Sequence, residues 1–162
     1  MKAERLNKTI DFSLPENDAE TEADVLENVL DMIYKSTNPV LIADACCIRH
    51  HVVDETLQLI HKLQITGFVT PMGKGAIDES NPHYGGVYVG AISLPEVKQA
   101  VESSDCVLSV GALLSDFNTV RIFQLLFFDV RDLSVITLAR IRPSNFTLLG
   151  LRFVMRLIPE LE

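Results

Sequence analysis

The chain has 162 residues, 48% of them hydrophobic and 22% charged, with a net charge of −8. That length and balance describe one globular domain with a real core and exclude a disordered chain. The acidic balance argues against nucleic acid as a partner, because phosphates demand a basic face. No apolar run approaches the roughly 20 residues of a membrane span, so no membrane partner is expected.

Met1-Lys2-Ala3-Glu4-Arg5 leads into no apolar run, so no secretory signal is expected. Residues 1–19 read as a connector, and Pro15-Glu16-Asn17-Asp18 is an acidic, turn-rich lead-in. A helix is predicted from about Thr21, where Thr21 and Asp24 have capping-box spacing. Val25, Leu26, Val29, Leu30 and Ile33 form its apolar stripe, and Ser36-Thr37-Asn38-Pro39 stops it. Pro39–Ala45 is a short apolar run bounded by turn residues, as expected of a strand buried on both faces. A second helix is predicted at about Val53–Leu63, with Val53, Leu57 and Ile60 inward, before a strand at Phe68–Thr70. Together these make a right-handed βαβ unit.

From Phe68 to Gly90 the chain reads as a short strand ending at Pro71 and then a long loop, which carries five of the eight glycines. Ser93-Leu94-Pro95-Glu96 is a helix start with Ser93 as the cap, and Val97, Ala100 and Val101 supply the apolar face. Cys106–Ala112 reads as a third buried strand. Three α/β repeats by Asn118 predict the α/β class with an open, doubly wound parallel sheet. Ligands of such sheets sit beyond the carboxyl ends of the strands, here Asp44–Cys47, Thr70–Gly75 and Gly111–Asn118.

Beyond that point the chain changes character. Up to residue 118, eight basic residues stand against 18 acidic ones; from 119 onward, six arginines stand against four acids and lysine disappears. Ile122–Val130 and Ser134–Arg140 are read as strands and Leu148–Ile158 as a helix.

Several residues invite chemistry. In Cys46-Cys47-Ile48-Arg49-His50-His51, a thiol beside Arg and His could act as a nucleophile or sensor, or the cysteines could simply be small buried hydrophobes. A metal site from Cys46, His50 and His51 is disfavoured, since adjacent cysteines do not match zinc-ligand spacing. Three cysteines, two of them adjacent, suit a reducing, cytoplasmic setting more than a disulfide framework. Met72-Gly73-Lys74-Gly75 lacks a complete phosphate-binding pattern, so an edge turn with a solvated Lys74 is favoured. The loop segment His83–Tyr88 could line a contact with another domain or fill surface. Asp44, Asp78 and Glu79 are expected to be solvated or capping carboxylates.

The strings NPVLIADACCIRH and FVTPMGKGAIDESNPHYGGVYVGAISLPEVKQAVESSDCVLSVGALLSDFNT, with the lead-in IDFSLPENDAE, resemble fungal pyruvate decarboxylases. The likeness is to their central domain and runs from about residue 3 to Thr119. It implies a Rossmann-like central domain with a six-stranded parallel sheet that binds no FAD. The family reaction is thiamine-diphosphate- and Mg-dependent decarboxylation of pyruvate to acetaldehyde. It also implies a regulatory, pyruvate-sensing role for Cys46, with Arg49 and His50 as the basic pair of the motif; Ile48 and His51 depart from the usual pattern. The family's activating glutamate and paired histidines lie in an amino-terminal domain. Its magnesium and diphosphate motif begins Gly-Asp-Gly, which does not occur in this sequence. Hence no catalytic residue and no bound cofactor are expected of this chain alone.

The expected partners are other domains or subunits of such a decarboxylase, with self-association possible. The division expected is 1–19 connector, 20–118 central domain and 119–162 divergent tail. The likeness stops after Thr119, as intron read-through, a frameshift or a truncated gene model would produce. Two further classes stay open: a non-enzymatic module docking on decarboxylase subunits, and a cysteine-dependent hydrolase needing His and carboxylate converging on Cys46.

Overall fold

A computed structural model describes residues 18–113, Asn118 and, as backbone, 134–138. The predicted strand Ile122–Val130 and helix Leu148–Ile158 lie outside the described residues, as do the connector up to residue 17 and most of the tail.

The first helix, α1 (Ala19–Lys35), begins two residues before Thr21. Its cap is Asp18, whose Oδ1 accepts from the Thr21 amide at 2.9 Å and hydroxyl at 2.7 Å. Thr21 is thus a donor inside the first turn, and the better cap is the carboxylate three residues before it. The strands and helices that follow are β1 (Pro39–Ala43), α2 (Ala45–Arg49), α3 (Val53–Leu63), β2 (Thr66–Val69), β3 (Tyr84–Val87), α4 (Pro95–Glu102), β4 (Cys106–Val110) and β5 (Ser134–Leu138). Short 3₁₀ turns occupy Pro71–Gly73 and Gly90–Ile92. Pro95 opens α4 as expected, but the cap position is Leu94, without a side-chain bond. The Ser93 hydroxyl is instead taken by the Val89 amide at 2.7 Å, bracing the turn before the helix.

Among the described residues, five parallel strands form one sheet in the order β3-β2-β1-β4-β5. The order reverses between β2 and β4, so the chain winds both ways from β1 and the doubly wound α/β fold holds. β5 pairs with β4 from Cys106↔Ser134 to Val110↔Leu138, so the sheet extends to residues 134–138.

β1 is buried on both faces, as its unbroken apolar sequence requires. Leu41 and Ala43 join a core with Val29 and Ile33 of α1 and Leu59 and Ile60 of α3. Val40 and Ile42 point the other way, to Phe68, Tyr88 and Val97 and Val101 of α4. The period-two alternation of a strand thereby separates α1 and α3 from α4 by one sheet thickness. On α3 the deepest positions are Thr56, Leu59 and Ile60; Val53 and Leu57 are only half-buried.

The segment 84–87, read as loop, is instead the edge strand β3. Two glycines in four residues hide the strand signal, because glycine has no intrinsic β preference. They are there for packing. A Cβ on Gly85 would come within 2.4 Å of the Phe68 ring, and Gly86 has φ +116°. The register of β2 against β3 slips between Gly67 and Phe68 at this point, and the twist is absorbed by glycine.

Candidate functional site

The carboxyl ends of β1, β2 and β4 converge on one residue. Asp44 follows β1 directly, is 1% exposed, and caps α2 through a 2.6 Å bond from the Ala45 amide. Its Oδ1 also accepts from the Thr70 hydroxyl at the end of β2. From beyond β4, the Leu113 amide donates to Oδ2 at 2.6 Å, and Asn118 Nδ2 lies 2.7 and 2.9 Å from the two oxygens. Every partner is an N–H or O–H donor, the set that a buried ionised carboxylate requires. The expectation of a solvated or capping Asp44 is therefore half right: it caps, but it is buried and bound to three segments. Apart from Ala45, its partners lie 26 to 74 residues away in sequence, which no local pattern reveals.

Around this hub, two glycines allow main chains to touch. Gly111 has φ +70°, and a Cβ there would sit 2.1 Å from the Cys47 amide nitrogen. Its carbonyl accepts from the Cys46 amide at 2.9 Å. A Cβ on Gly73 would lie 2.4 Å from the Ala43 carbonyl oxygen. The Gly73 amide donates to the Thr70 hydroxyl at 3.0 Å, so it is turned inward and not toward a phosphate. Lys74 pairs with Glu79 at 3.3 Å, both largely exposed, which supports the solvated turn. Asp78 accepts from the Ser80 hydroxyl and amide at 2.7 and 2.8 Å, and these bonds hold its carboxyl below the ordinary range.

The motif residues Cys46 and Arg49 lie in the one-turn helix α2 and His50 is its C-cap, so spacings of three and four bring them toward one side. Cys46 is 7% exposed, Arg49 is exposed and His50 is half-buried. His50 closes the helix through its amide, which donates to the Cys46 carbonyl at 3.0 Å. His51 has φ +57° and turns the chain toward α3.

The neighbouring thiol is different. Cys47 is fully buried, its sulfur 3.3 Å from the Thr56 hydroxyl, and burial pushes its pKa up despite that bond. Cys106, at the far end of the sheet, is pushed up to about 11 by burial and then by Asp105. All three cysteines are free. Among the described residues no group of three or more His, Cys, Asp or Glu is placed to hold a metal ion.

In the segment His83–Tyr88, which holds β3, Tyr88 is a core residue, fully buried, with its hydroxyl 3.5 Å from Glu102. Burial, then the Glu102 charge, raises its pKa. Tyr84 is half-buried and packs against the α1–α3 side of the core. His83 meets His61 edge-on, ring centroids 5.3 Å apart. Exposed apolar side chains stand at Ile48 and Met72 near the site, and at Ile92 and Leu94 before α4.

Comparison with known proteins gives a consistent result. A family described as thiamine pyrophosphate enzyme, central domain, matches residues 26–145, past the change in composition at 119. The chain is 62% identical over 117 residues to pyruvate decarboxylase of Kluyveromyces marxianus, covering 72% of this chain and 21% of that protein. Against pyruvate decarboxylase isozyme 1 of Saccharomyces cerevisiae the identity is 60% over 117 residues, with the same coverage. Against pyruvate decarboxylase of Candida albicans it is 55% over 114 residues, 70% of this chain and 20% of the relative. The chain thus spans about a fifth of the length of the curated relatives it matches.

Proposed function

Because this chain belongs to the thiamine pyrophosphate enzyme central-domain family, we propose that it serves a thiamine-diphosphate- and magnesium-dependent pyruvate decarboxylase as its central, non-catalytic domain. The parent reaction is conversion of pyruvate to acetaldehyde and carbon dioxide. The observation that carries this reading is the 55–62% identity to pyruvate decarboxylases over 114 to 117 residues, about seven tenths of this chain.

The cofactor in this reading belongs to other parts of the parent enzyme. The donor set supports that: Asp44 would repel a diphosphate, and the cradles that Gly73 and Gly111 would offer are filled by the main chain of Ala43–Cys47. Cys46 is proposed as a regulatory thiol for the 2-oxo acid, with Arg49 supplying positive charge and His50 completing the basic pair of the motif. Partners are the remaining domains or subunits of such an enzyme, met through exposed apolar residues such as Met72, Ile92 and Leu94. The same residues favour a second reading, a docking module without regulatory function. Among the described residues no helix is long and apolar enough to cross a membrane. A cytoplasmic setting is proposed from the three free thiols.

Two measurements test the proposal. The purified chain with thiamine diphosphate, Mg²⁺ and pyruvate should release carbon dioxide only at the protein-free rate; release above it overturns the non-catalytic assignment. Pyruvate should slow Cys46 alkylation in a saturable manner. Alkylation indifferent to pyruvate would leave the docking module as the better reading.

A further inference from the structure

We propose that Asp44 is the positioning residue of the Cys46 site: its carboxylate locks the first turn of α2 to the segments following β2 and β4, and that lock sets how far Cys46 is shielded. The biological meaning of this inference rests on reading Cys46 as the functional thiol.

A five-residue helix cannot hold itself, because helix nucleation is unfavourable and its benefit needs several turns. α2 is held at its start instead. The Asp44 amide donates to the Val110 carbonyl at 2.9 Å and the Cys46 amide to the Gly111 carbonyl at 2.9 Å. These main-chain bonds tie α2 to the end of β4 alone. The Asp44 side chain brings in the other segments: Thr70 after β2, then Leu113 and Asn118 beyond β4. Asn118 extends the tie, since its Oδ1 accepts from the Met72 amide at 3.0 Å and its Nδ2 donates to the Leu113 carbonyl at 2.9 Å. One carboxylate therefore ties two further stretches, at Thr70 after β2 and at Leu113 and Asn118 beyond β4, to the turn that carries Cys46.

Asparagine at position 44 has the same shape but replaces an acceptor oxygen with an NH₂ group. Whichever way the amide lies, a buried donor then faces another donor: Leu113 N–H and Asn118 Nδ2 on one side, or Ala45 N–H, the Thr70 hydroxyl and Asn118 Nδ2 on the other. The native shape then stays accessible while the lock is weakened. Cys106 provides an internal control. It begins β4, fully buried, and pairs with Pro39 at the opposite end of β1 from Asp44.

The test is iodoacetamide labelling of the full chain, with the rate at Cys46 compared with that at Cys106. Asp44→Asn should raise the Cys46 rate roughly tenfold to a hundredfold, because local opening scales with the lost charge-assisted bonds, and leave Cys106 unchanged. Asn118→Ala should give a smaller selective rise, and the double variant should be no faster than Asp44→Asn alone. Should Asp44→Asn fail to fold, Asn118→Ala carries the test by the same selective rise. Equal acceleration of both thiols, or an unmoved Cys46 rate, overturns the proposal. If pyruvate does not protect Cys46 while the selective rise persists, the regulatory reading falls and the positioning role of Asp44 stands.

Discussion

At the scale of single residues, burial and main-chain contact decide what each side chain can do. Asp44 and Asp78 are both aspartates just past an apolar strand or in a turn, yet one is enclosed by three segments and the other caps its own loop. The difference is the distance in sequence to the donors. Gly111 shows the same logic for the backbone. With φ +70° and the Cys47 amide nitrogen where a Cβ would stand, it admits no other residue without movement of α2. Gly111→Ala is expected to destabilise the fold by about 2–4 kcal/mol, from left-handed strain plus overpacking. Denaturant unfolding checks this; a loss below 0.5 kcal/mol would mean that α2 shifts freely, contrary to its anchoring.

At the scale of elements, the amino end of the sheet is closed by a carboxylate too, of a different kind. Asp105 precedes β4 and takes the Ser36 hydroxyl, the Thr37 amide and hydroxyl at 2.7 and 2.8 Å, and the Asn38 amide at 2.9 Å. It thus joins the end of α1 and the start of β1 to β4. The Ser36 hydroxyl, then the Thr37 amide, holds its carboxyl well below the ordinary range. A folded pKa below the unfolded one contributes stability that is present above about pH 4 and is lost as pH falls further. Asp105→Asn should therefore lower the melting temperature at pH 7 and narrow the gap to wild type as pH falls below about 4. Melting curves across pH 2–7 check this, and a gap constant over that range would refute it.

At the scale of the whole molecule, the sheet does not end where the composition changes. β5 at Ser134–Leu138 runs parallel to β4 over five residue pairs, and the family match continues to residue 145. Cutting the chain after residue 118 would remove β5 and leave the β4 edge unpaired, and unpaired edges invite association. The 1–118 fragment should melt at lower temperature than the full chain and associate with rising concentration. Light scattering with a thermal melt checks both, and equal stability of the two forms would show that β5 contributes nothing.

Much of this molecule was determined by the sequence by itself. The apolar run Val40–Ala43, the stripes of α1 and α3 and the proline at the start of α4 specify their elements locally, through burial period and backbone sterics. They suffice for the α/β class, and long strings around Cys46 and Gly85-Gly86 suffice for the family. What only the tertiary structure decided depends on contacts between segments far apart in the chain. β3 is a strand because Phe68 and Val97 leave room there for glycine alone, whereas its own residues argue for a loop. Thr21 yields the cap to Asp18 because capping depends on which oxygen reaches the free amides. Asp44 becomes the hub of the site because Thr70, Leu113 and Asn118 arrive beside it only when three parallel strands end at one level. A carboxylate's partners are set by that meeting, and the local sequence around it carries no record of them.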